Sequence, residues 1–165
     1  MKDNSTSKIL FSEIQYFRQW WMRLIMVFIA FYTLAIIFTN ASLLHWPLKF
    51  LFVLLLMSPL LLSLMNLKIE IREDGIYIRF TPFHLRFHKI AFSEIKSYEA
   101  RTYRPIVEYG GWGIRYGLPP GRNKAYNVLG NKGVELELKN GKRLLIGTQK
   151  PDEFIAALNI ATKVQ

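Results

Sequence analysis

Four basic side chains, Arg104, Arg115, Arg122 and Lys124, stand among glycines and aromatic rings in the segment from Thr102 to Lys132. An arginine fork among small residues can grip a carboxylate or a phosphate with two parallel hydrogen bonds at little steric cost. These four are therefore the candidate binding residues. Gly110, Gly111 and Gly113 allow positive φ or close backbone approach. Trp112, between two of them, is expected to fill a hydrophobic wall. A purely structural reading stays open, in which the glycines bend strands while Tyr109, Trp112 and Tyr126 pack on a sheet.

Other chemistries find less support. Gly111-x-Gly113 is followed by Gly117 four residues on and then by Leu118-Pro119-Pro120. No helix opens there, as a dinucleotide fingerprint requires, and no Gly-Lys-Ser/Thr marks a P-loop. There is no Gly-x-Ser-x-Gly elbow. His84 and His88 lie in a stretch that alternates like a strand, which sets them about 13 Å apart, too far for one metal. Glu135 and Glu137 share one face of a hairpin and look solvated rather than poised for acid–base work. The expectation is a non-enzymatic protein with no cofactor and no metal.

The chain has 165 residues and no cysteine, with 22 Lys and Arg against 12 Asp and Glu. From Asn66 onward the count is 17 against 10, about +7. No nucleic-acid motif accompanies this charge, so no nucleic-acid partner is expected. Two apolar runs, Trp20–Phe38 and Trp46–Leu67, each carry one basic residue, Arg23 and Lys49. Each is about as long as the roughly 20 residues that cross a bilayer as a helix. The expectation is a transmembrane α-hairpin over 20–66, with spans 20–38 and 46–66. Lys2, Lys8, Arg18 and Arg23 precede or open the first span, and Lys68, Arg72 and Arg79 follow the second. The 39–47 loop lacks Lys and Arg, so the positive-inside rule makes it external and both termini cytoplasmic, a multi-pass protein of the inner membrane. Residues 1–19 read as a tail and an interfacial amphipathic helix, with Leu10, Phe11, Ile14, Phe17 and Trp21 on one face.

Residues 67–165 read as one α+β domain. Leu67–Arg72 and Ile76–Phe80 alternate around Glu73-Asp74-Gly75, a hairpin signal. A third strand falls over 85–89 and a fourth over 95–101. A final hairpin, 133–138 and 142–147, turns at Asn140-Gly141. Pro151, Asp152 and Glu153 then open a helix that buries Phe154 and Leu158.

Asp74-Gly75-Ile76, Phe92-Ser93-Glu94-Ile95, the final hairpin and Thr148–Leu158 together resemble the bacterial pleckstrin-homology-like (PH-like) domain. Glu108–Gly117, Lys124–Val128 and Gly130–Gly133 resemble a little-characterised bacterial membrane family of this build. The resemblance implies a PH-like, partly open antiparallel β-barrel capped by a C-terminal helix and carried behind transmembrane helices. It brings no assigned activity. The functional expectation is a membrane-anchored interaction module that binds a protein partner at the cytoplasmic face. The alternative is a sensor of anionic lipid headgroups, or of another anionic ligand, through the 102–132 segment.

Overall fold

A computed structural model describes residues 7–18, 20–39, 50, 53–55, 57, 61–117 and 123–163. They divide into two units: one contains the N-terminal strand and everything from Asn66 on, the other spans Phe17–Met65.

In the second unit, α1 (Trp20–Thr39) is helical, as are residues 50, 53–55, 57 and 61–64. Leu24, Ile25, Val27, Phe28 and Phe31 of α1 are exposed. Among the described residues, no helix is long and apolar enough to cross a membrane. This corrects the expected transmembrane hairpin, and with it the multi-pass inner-membrane location. The expectation counted run length. The run that folds as α1, Trp20–Thr39, is 20 residues long and carries Arg23 as its only charge. Of the second run only part is described. The expected external loop, beyond Thr39, lies outside the described residues.

Among the described residues the first unit holds two sheets, two α-helices and a short 3-10 turn at Phe92–Glu94. The first sheet orders β1 (Ile9–Tyr16), β2 (Asn66–Arg72), β3 (Gly75–Thr81) and β4 (His88–Ile90) side by side. The second contains β5 (Ile95–Thr102), β6 (Gly113–Tyr116), β7 (Asn123–Asn127), β8 (Lys132–Leu138) and β9 (Arg143–Gly147), in the spatial order β5-β8-β9-β7-β6. Helix α2 (Pro105–Tyr109) follows β5, and α3 (Pro151–Lys163) ends the described chain. The expected partly open antiparallel β-barrel is corrected to two sheets, and the second of them is mixed, because β7 and β9 run parallel.

The β2–β3 hairpin forms as the alternation predicts, with Ile69 opposite Ile78 and Ile71 opposite Ile76. The turn needs Gly75: its φ is +151°, and a Cβ there would come within 2.5 Å of the Ile90 carbonyl oxygen. Burial alone would raise the Asp74 pKa. Hydrogen bonds from Lys89 and Tyr77 outweigh it and hold the carboxyl down at about 2. Leu67, Ile69, Ile71, Ile76, Ile78 and Phe80 are buried, as are Val134, Leu136 and Ile146 of the second sheet. Each such side chain contributes about 1.5–3 kcal/mol. Phe154 and Leu158 of α3 join this core fully buried, as the capping role requires.

The N-terminal amphipathic helix is corrected to strand β1. Its inward positions, Phe11, Glu13 and Gln15, follow a period of two. Two of the three are polar, so apolar spacing alone resembled a helix. Phe11 meets Phe154 edge to face, centroids 5.4 Å apart. Glu13 accepts hydrogen bonds from the Thr148 hydroxyl and the Gln149 amide, and Gln15 Nε2 donates to the Gly147 carbonyl at 2.7 Å. One side of the first unit is thereby closed: β1 of the first sheet is bonded to the chain leaving β9 of the second, with α3 packed against β1, β2, β5 and β8.

Candidate functional site: a basic cleft at the open side

Away from that closed side, β4 is the last strand of its sheet and β6 the last of the other. Strand β7 alternates: Asn123, Ala125 and Asn127 face one way, Lys124 and Tyr126 the other. Ala125 is buried with Tyr103, Tyr109 and Leu145 beneath α2. Lys124 therefore takes the opposite, inner face, beside Tyr126, where a core residue would stand if the first sheet extended over it.

A hollow of about 420 Å³ results, lined among others by His88 and Ile90 of β4, Tyr116, Lys124, Tyr126 and Lys142. An adjoining hollow of about 350 Å³ shares His88, Lys124 and Tyr126 and adds His84, Arg86 and Phe87. The Lys124 ammonium lies 4.6 Å from the Tyr126 ring centroid and 5.6 Å from that of Tyr116. Such cation–π contacts fix a cation without neutralising it. Among the described residues, Arg86, Lys124 and Lys142 form no ion pair. One carboxylate, Glu94, lines the larger hollow. The His84 ring packs on Tyr126 at 5.7 Å, and its Nδ1 is buried without a hydrogen-bond partner among the described residues. Burial, with Lys124 and His88 nearby, lowers the His84 pKa. The loop bearing these groups is anchored on the first sheet too, where Arg79 lies 4.9 Å and Arg72 5.7 Å from the Phe87 ring.

The other face of the second sheet differs in kind. There Arg101 donates to Glu135, to Glu108 at 2.9 Å and to the Tyr109 hydroxyl at 3.3 Å. Burial opposes ionisation of Glu108, but bonds from the Arg104 amide and from Arg101 prevail and lower its pKa. Burial pushes the Tyr103 phenol up to about 12. A groove of about 510 Å³ runs over these groups, yet Arg101, Glu108, Glu135 and Arg143 in it are already paired with one another. They support α2 rather than await a ligand.

The candidate residues do not converge. Arg104 is the N-terminal cap position of α2, where its amide bonds Glu108. Arg115 pairs with Ala125 across the ladder and so faces away from Lys124, which pairs with Tyr116. Arg115 Nε donates to the Trp112 carbonyl at 2.9 Å, a local bond. Arg122 lies outside the described residues. Gly110, Gly111 and Gly113 do take positive φ, and Trp112 Nε1 donates to the Gly130 carbonyl at 3.0 Å, a structural tie. Arg86, Lys142, His84 and His88 come from other segments. The one signal for them was the Lys124-x-Tyr126 alternation around a small Ala125, which marks Lys124 as a core-side cation needing company.

Two sheets closed by a helix on one side and leaving a cationic cleft on the other define an α+β scaffold. The chain belongs to a family of unknown function (DUF6141), whose model matches residues 6–164. No curated protein and no solved structure matches it.

Proposed function

We propose that this chain is a non-enzymatic binding module that holds an anionic group of a partner protein in the cleft around Lys124. The observation that carries this is the gathering of Arg86, Lys124 and Lys142, with His84 and His88, around two tyrosine rings without ion pairs among the described residues. Like charges held together in a half-enclosed place repel, and an anion relieves that repulsion. Binding is favoured over catalysis because, among the described residues, the buried Nδ1 of His84 has no group to orient it, as a general base would need.

Calorimetric titration of the full chain with inorganic pyrophosphate tests the proposal. Lys124→Glu should lower affinity at least tenfold with little change in melting temperature. Arg115→Ala, on the opposite face, should bind like wild type. Equal affinity for wild type and Lys124→Glu would sink it. A second reading, an anionic lipid headgroup, draws on Phe83 and Leu85, 66% and 86% exposed beside Arg86. It needs no membrane-crossing helix. Displacement of pyrophosphate by phosphatidylserine vesicles but not by phosphatidylcholine vesicles would favour it.

A further inference from the structure

We infer that the occupant of the cleft is an extended segment of the partner protein with acidic side chains at alternate positions, added as a strand along the free edge of β4. This rests on the anionic-group reading and names the ligand class.

The argument begins with the backbone. β4 pairs with β3 on one side and has no second strand among the described residues. His88 and Ile90 line the larger hollow, so the unpaired edge of β4 runs along the cleft. An edge of this kind offers a row of N–H and C=O groups to an incoming chain. A lipid headgroup cannot use that row, whereas a peptide can.

The side chains add register. In an added strand, every second residue faces the inner side, where Lys124 and the tyrosine rings lie. Two such residues stand roughly 7 Å apart. Lys89 points to the other face and is already bonded to Asp74, so it leaves the inner cations to the ligand. Beyond the His88 end of β4, Phe83 and Leu85 form an exposed apolar shoulder suited to a hydrophobic residue following the acidic ones.

The test uses the full chain and three synthetic peptides. The parent is acetyl-Glu-Val-Glu-Val-Glu-amide. The other two carry backbone N-methyl groups either on the glutamates or on the valines. N-methylation removes a donor without touching side-chain charge. In an edge-added strand alternate amides point toward β4, so one methylated peptide should lose at least tenfold in affinity and the other should not. The parent should displace pyrophosphate, and Lys124→Glu should weaken both ligands. If both methylated peptides bind like the parent, strand addition is wrong while the anionic cleft stands. The peptide inference is also overturned if phosphatidylserine vesicles displace pyrophosphate and the parent peptide does not. Absence of pyrophosphate and peptide binding alike would overturn the cleft itself.

Discussion

The two sheets of the first unit part on two sides, and the sides are finished in opposite ways. On one, α3 inserts Phe154 and Leu158 while Glu13 and Gln15 tie β1 to the chain after β9. Glu13 and the Nε2 of Gln15 are bonded there to Thr148, Gln149 and Gly147. On the other side nothing comparable is inserted among the described residues, and the inner face of β7 shows Lys124 instead of an apolar side chain. A closed edge gains stability from buried area. An open edge lined with like charges gains none from them and is best explained by what it can take up. Stability and binding therefore separate in space, and substitutions should separate likewise.

The largest effect is expected at the closed side. Phe154→Ala removes a fully buried ring and should cost about 3–5 kcal/mol. Leu158→Ala should cost about 2–5 kcal/mol. Thermal or urea unfolding followed by circular dichroism reads both. Melting unchanged from wild type would break the comparison at its root.

Glu13→Ala should have a smaller cost, about 1–3 kcal/mol, because the Thr148 hydroxyl and the Gln149 amide each lose their acceptor. The same unfolding measurement applies, and pyrophosphate affinity of the folded variant should not move. Were Glu13→Ala to weaken the anion without changing stability, the division between the two sides would fail.

The smallest expected effect is a pH dependence at the open side. The folded-state pKa of His84 lies below its ordinary value, through burial first and Lys124 and His88 second. Its neutral form is thus favoured by folding. The stability this contributes is present above about pH 6.5 and is lost as pH falls through the folded value. A bound anion favours the protonated ring, so sulfate, which does not itself titrate in this range, should bind several-fold more tightly at pH 5.5 than at pH 8. His84→Asn should flatten that slope. A slope unchanged in the variant would assign the titration elsewhere.

Much of this architecture was legible where a residue pattern has one structural meaning. The Leu67–Phe80 hairpin announced itself by alternation around Asp74-Gly75, and the last hairpin and α3 did so by Asn140-Gly141 and Pro151. β1 was illegible because Glu13 and Gln15 point inward, and their partners lie more than 130 residues away. Apolar run length over 20–66 likewise did not translate into a membrane-crossing helix among the described residues.

For the candidate site, the local chain determined that basic residues and positive-φ glycines would cluster in 102–132, and that Trp112 would be structural. It did not determine which cations meet. Strand pairing sends Arg115 and Lys124 to opposite faces, although only nine positions separate them. The meeting of Lys124 with Arg86, His84, His88 and Lys142 depends on where one sheet ends above another. That is a property of register and strand order, set by the burial of Ile69, Ile78, Leu136 and Ile146 together, and no local segment contains it.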